Sequence, residues 1–189
     1  SKVGRKLIID DNNLRGKITA DGLNSVVAEG KGEGYAALFF IADAVKGLQL
    51  LISSADLLGK ITAEGLNAVI PKGYNEGISA LWSLASSVEG LQLLISNADL
   101  RGKIIAEGLN AVISEGIDSG KSALWFLAAS PEGRRLLIDD EVLRSKITNE
   151  GLNAIVAEGI DSGKSALWLL AVTHEGRQLL IDDEVLRGK

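Results

Sequence analysis

The chain has 189 residues, 46% of them hydrophobic and 24% charged, which is a globular composition with enough apolar side chains for a packed core. Twenty basic residues against twenty-five acidic ones leave a net charge of −5, which disfavours nucleic acid and anionic membrane surfaces as partners, and the absence of cysteine excludes disulfides and thiolate metal sites. No apolar stretch approaches the roughly 18 residues of a membrane span and residues 1–5 are no signal peptide, so the chain reads as soluble and cytoplasm-compatible, with its compartment open.

Taken in chain order, the sequence repeats itself. Ile18, Ile61, Ile104 and Ile147 each open a segment of 43 residues without insertion or deletion, giving units 18–60, 61–103, 104–146 and 147–189. Residues 1–17 match the last part of a unit, and with the lack of any methionine this points to a processed chain or a piece of a longer one.

In the last unit Thr148 precedes Leu152, Ile155 and Val156 at i, i+3 and i+4, which predicts a first helix capped by the threonine. Gly159, matched by Gly30, Gly73 and Gly116, stands where a left-handed residue would stop that helix. A loop over 160–163 leads into Ser165–Ala171, apolar almost all round, which predicts a short buried second helix. The third helix has a strong start signal in Ser130-Pro131-Glu132, a capping hydroxyl, a proline at N1 and an acid near the positive helix end, with Ser87 and Thr173 repeating the cap. Whether residues 183–187 continue that helix or form their own turn stays open.

Three short helices in 43 residues cannot bury their apolar faces alone, so neighbours must stack and share a core. Strand signals are missing. The expected fold class is all-α: a right-handed α-solenoid of four 43-residue helical repeats plus a partial N-terminal repeat, forming one domain over residues 1–189.

Two repeat families resemble these residues. Ser79-Ala80-Leu81-Trp82-Ser83-Leu84-Ala85 looks like the Thr-Pro-Leu-His-x-Ala opening of an ankyrin repeat, and Leu93-Leu94-Ile95 resembles its second helix. The period and Ala166-Leu167-Trp168 are closer to an armadillo repeat, which has three helices in about 42 residues. Both resemblances imply a binding scaffold. An armadillo asparagine that clamps peptide backbone one turn after the tryptophan is replaced here by Asp43, Ser86, Ala129 and Val172, so that clamp does not carry over.

Several positions compete for a role. Asn24, Asn67, Asn110 and Asn153 recur unchanged inside the first helix although asparagine is a poor helix former, so they either bond between adjacent units or read a bound peptide backbone. Gly22, Gly65, Gly108 and Gly151 in the same helix imply close backbone approach. The loop after the first helix varies most, with Tyr74, Asn75 and Glu76 in one unit against Asp118 and Asp161 in later ones, which marks specificity positions. Lys17, Lys60, Lys103, Lys146 and Lys189, with Arg15, Arg101, Arg144 and Arg187 two positions earlier, line up as a basic stripe that either caps helices and pairs between units or tracks an acidic peptide or phosphate-bearing partner. Trp82, Trp125 and Trp168, with Phe39 in the first unit, read either as inter-repeat core filling, which the apolar helix around each favours, or as ligand-stacking anchors on a concave face. Asp139-Asp140-Glu141 and Asp182-Asp183-Glu184 read as a solvated acidic edge or a short helix cap, because neighbouring carboxylates diverge, with a weak divalent-ion site as the alternative, and the lone His174 has no nucleophile or metal constellation around it.

These readings give no catalytic, cofactor or metal residues. The expected function is a non-enzymatic scaffold for protein–protein interaction, holding a partner protein or peptide over several repeats. The alternative is a structural spacer or a module that self-associates end to end within a larger, secreted-effector-like protein.

Overall fold

The computed structural model describes residues 11–188 apart from Lys31, Tyr74 and Ile117, and every regular element among them is a helix. The partial unit contributes α1 (Asn12–Gly16); its first ten residues, like Lys189, lie outside the described residues. Unit 18–60 folds as α2 (Ala20–Asn24), α3 (Ala37–Ala42), α4 (Val45–Ser53) and α5 (Ala55–Lys60). Unit 61–103 gives α6 (Ala63–Asn67), α7 (Ala80–Ala85), α8 (Val88–Ser96) and α9 (Ala98–Gly102). Unit 104–146 gives α10 (Ala106–Asn110), α11 (Ala123–Ala129), α12 (Pro131–Asp139) and α13 (Glu141–Ser145). Unit 147–189 gives α14 (Asn149–Asn153), α15 (Ala166–Ala171), α16 (His174–Asp182) and α17 (Glu184–Arg187).

Each full unit therefore carries four helices, the segment equivalent to 183–187 forming a short helix of its own after the third. The third helix stops because Ser54, Asn97, Asp140 or Asp183 leaves helical dihedrals, and the same residue then caps the fourth helix with its side chain. Asn97, for example, sits at φ −122°, ψ 96° and accepts from the Leu100 amide at 2.8 Å. The caps expected for the third helix are present: Ser87, Ser130 and Thr173 accept from Gly90, Gly133 and Gly176.

The first helix is shorter than its spacing predicts. It ends after five residues at each asparagine, and the backbone turns extended at once, with Ala111 at φ −56°, ψ 129°. The apolar residues beyond it belong to a hairpin-like finger: Ile113 donates to Lys121 O at 3.1 Å and Gly120 returns a bond to Ile113 O at 2.8 Å. The same reciprocal pair joins Val27 with Tyr35 and Gly34, Ile70 with Ile78 and Gly77, and Val156 with Lys164 and Gly163. Leu152 and Val156 are both buried, one from a helix and the other from the finger, whereas Ile155, the i+3 member of the predicted apolar face, is exposed. Gly30, Gly73, Gly116 and Gly159 do take positive φ, yet they turn the finger instead of ending a helix.

Like packs on like between units. The second helices α3, α7, α11 and α15 contact one another in succession, and so do the third helices α4, α8, α12 and α16 and the first helices α2, α6, α10 and α14. Leu38, Leu81 and Leu124 from the second helices and Leu51, Leu94 and Leu137 from the third are fully buried between layers, each contributing on the order of 2 kcal/mol by leaving water. No helix among the described residues is long and apolar enough to cross a membrane.

Candidate interaction surface

The recurrent asparagines hold neighbouring units together. Asn67 donates to Ala63 O of its own helix (2.6 Å) and to Lys103 O (2.8 Å), and its Oδ1 accepts from the Ile105 amide (3.0 Å). Asn24 repeats this with Ala20, Lys60 and Thr62, and Asn110 with Ala106, Lys146 and Thr148. Both amide hydrogens and the carbonyl are thus engaged, joining two chain segments otherwise separated by a bend. The following unit seats a glycine directly on this amide: a Cβ at Gly65, Gly108 or Gly151 would overlap Asn24, Asn67 or Asn110. Asn153 is exposed and donates to Asn149 O at 2.9 Å and Oδ1 at 2.7 Å.

The arginines are held between units as well. Arg101 Nε bonds Asp140 Oδ2 at 2.9 Å, and its Nη1 donates to Leu94 O and Ile95 O, closing the C-terminal end of α8. Arg144 does the same for Asp183, Leu137 O and Ile138 O. Burial opposes the Asp140 carboxylate, but the Leu143 amide and the Arg101 guanidinium outweigh it and hold its pKa below the usual aspartate value. Arg187 is more open, with its guanidinium 3.5 Å from Glu184.

The fingers form a second ladder. Lys121 Nζ lies 3.0 Å from Asp118 and 3.1 Å from Asp161 of the next finger, and Lys164 lies 3.0 Å from Asp161. Burial opposes the Lys121 charge; bonds to Asp118 and Asp161 prevail and raise its pKa above the ordinary lysine value. The Lys164 bond, against a burial penalty and with Lys121 adding to it, holds Asp161 below the ordinary aspartate value. Both lysines lie over indoles, Lys121 at 4.7 Å from the Trp125 ring centre and Lys164 at 5.5 Å from that of Trp168. One finger earlier, Asn75 donates to the Tyr35 hydroxyl at 2.9 Å, Glu76 is half-buried, and Tyr74 lies outside the described residues. Consecutive fingers touch at glycine: at Gly77 and Gly120, both near φ +87°, a side chain would run into the backbone of Val112 and Ile155.

Phe39 and Trp125 are buried as core residues and Trp82 is half-buried, whereas Trp168 is 45% exposed. Apolar side chains are exposed on the fingers, as at Val112 and Ile155, and on the outer side of the third helices, where Ile52, Ile95, Ile138 and Ile181 are exposed at the same register in four units. Two hollows open there, about 750 Å³ between α8, α12 and α16 and about 680 Å³ between α12, α13, α16 and α17, sharing Ile138 and Glu175. Among the described residues no three His, Asp or Glu side chains converge as a metal ion would require. Sequence reasoning missed Lys121 and Lys164, which the Asp-x-x-Lys spacing of Asp118 and Asp161 signalled, and it set aside the acidic residues that rim the second hollow. No protein-family model, curated protein or solved structure matches the chain, so its own geometry carries the functional reading.

Proposed function

We propose that the chain is an α-solenoid that serves as a protein–protein interaction scaffold, holding a partner protein or peptide across several repeats. The observation that supports this is the row of Ile52, Ile95, Ile138 and Ile181, exposed in register on helices whose opposite faces are buried against the neighbouring units. Apolar side chains repeated along one open surface suit an extended partner. The amide ladder joins successive units, and arginine–aspartate pairs add to it from Arg101 onward. Between the two family resemblances the ankyrin type is favoured, because a turn-containing finger precedes each helix pair and Ser79, Ser122 and Ser165 cap the second helices where the ankyrin motif has threonine.

The test is retention of partners from the source organism's extract on the immobilised array, beside an array with Ile52→Asp, Ile95→Asp, Ile138→Asp and Ile181→Asp. A partner held by the first and lost by the second, with unfolding temperatures within a few degrees, is expected. An intact array that retains no protein above background sinks the scaffold reading.

A second reading, end-to-end assembly, is favoured by one contrast. Trp168 is exposed and Leu167 and Leu180 are half-buried, where the equivalent Trp125, Leu124 and Leu137 are buried. Light scattering over a wide concentration range separates the two readings: a constant monomer mass argues against assembly.

A further inference from the structure

The two outer hollows differ from the corresponding surface of the earlier units in charge. At the end of the third helix Ser53 and Ser96 give way to Asp139 and Asp182, and the first-turn acid of the fourth helix moves from Asp56 and Asp99 to Glu141 and Glu184. The bend between these helices is built alike in all four units, by a side-chain cap from Ser54, Asn97, Asp140 or Asp183. The fold therefore requires a carboxylate at neither Asp139 nor Asp182.

Around the smaller hollow stand Glu141, Glu175, Asp182, Asp183 and Glu184, against Arg144 alone among arginines and lysines, and Arg144 is already bonded to Asp183. Asp182 accepts from Gln178 and Glu184 lies near Arg187, both contacts at the exposed surface. The larger hollow adds Glu132 and Asp139, with Arg101 committed to Asp140 and Arg135 exposed beside them. The floor between these rims is aliphatic: Ile138 is exposed and Leu136 and Leu179 lie just beneath. Carboxylates strung along the groove without converging match a series of separate cations and not one ion.

We infer that this groove of α12, α13, α16 and α17 docks a basic, amphipathic segment of a partner protein, whose lysines or arginines meet the carboxylate rim while its apolar side chains cover Ile138, Leu136 and Leu179. The inference rests on the scaffold reading and names the chemistry of the partner. Charge complementarity selects this occupant: an acidic or neutral helix would leave the rim repelled or desolvated.

The probe is a fluorescein-labelled amphipathic helical peptide of leucine and lysine, with the same peptide carrying glutamate for lysine as control, read by anisotropy. The wild-type chain should bind the lysine peptide alone and bind it less tightly as salt rises. Asp139→Ser with Asp182→Ser, Glu141→Ala and Glu184→Ala should weaken binding about tenfold, since rim charges supply most of the attraction. Asp139→Ser with Asp182→Ser alone copies residues that already fold in the earlier units; it should show an intermediate loss and keeps the test readable if the fourfold variant does not fold. Arg135→Gln should tighten binding, and Ile155→Asp on the finger should leave it unchanged. Equal affinity for the wild-type and the fourfold or double variant, binding of the glutamate peptide, or loss through Ile155→Asp overturns the groove assignment. If the intact array still retains a partner from extract, the scaffold reading survives that failure; if it retains none, both fall.

Discussion

The contact between units 18–60 and 61–103 and the contact between units 104–146 and 147–189 share one geometry and use different chemistry. In the first, Leu58 and Asn97 stand at the positions that carry arginine and aspartate later in the chain, and the fingers meet through the Tyr35–Asn75 hydrogen bond and a Glu33–Lys72 pair at the surface. In the second, Arg144 is bonded to Asp183 at the same two positions, and the fingers meet through Lys121 and Asp161. The aspartate keeps the capping role of the asparagine it replaces, as the Leu186 amide bond to Asp183 shows, and gains an ion pair in addition. At this junction the two partly buried charges form a matched pair, arginine and aspartate 39 residues apart in successive units. The amide ladder is common to both contacts.

The largest effects should come from that common part. Asn24→Ala and Asn110→Ala each leave a backbone N–H and a backbone C=O unpaired at a part-buried junction, and each should lower stability by about 3 kcal/mol in urea denaturation. A small loss in either variant would show that the two contacts do not share a foundation. Next, Arg101→Leu alone should cost about 2 kcal/mol by stranding Asp140 and the α8 carbonyls, whereas Arg101→Leu with Asp140→Asn, copying Leu58 and Asn97, should come within about 1 kcal/mol of the parent. Equal losses in the single and double variants would break the idea that the charged contact is a substitute for the neutral one.

Smaller still, Lys121→Ile with Asp161→Asn should cost about 0.5 kcal/mol at low salt and nothing measurable in concentrated NaCl, as expected of a partly exposed ladder. The pH dependence sharpens the contrast further. Folded Asp140 and Asp161 titrate below the unfolded aspartate value of about 3.9, so their contribution is present above that pH and is lost as pH falls through the depressed values. The difference in unfolding temperature between the parent and an Asp140→Asn/Asp161→Asn variant should therefore shrink on acidification, and a difference that grows would contradict the assignment. Lys121 acts in the opposite sense, its contribution fading only as pH rises through its raised value.

Much of this was legible in the chain itself. The serine, threonine and proline signals before the third helix marked its start, and the glycines after the asparagines marked positive φ. The spacing overstates the length of the first helix because Leu152 and Val156 satisfy a helical period while lying on a helix and a finger, both buried. The fourth helix is not legible because a capping aspartate inside a polar run looks the same as a continuing helix until its dihedrals are known. The arginines offered two readings, helix capping with pairing between units or partner contact, and only their distances to Asp140 and Asp183 show capping and pairing together.

The sequence by itself determined the period of 43, the helical class and the residues that had to recur, because each unit must present the same caps, leucines and glycines to the next. Tertiary structure alone decided what those recurrent residues touch. An asparagine that spoils a helix becomes a junction only when Lys103 O and the Ile105 amide are brought to Asn67, and the acidic run becomes the rim of a groove only when α12 and α16 lie side by side.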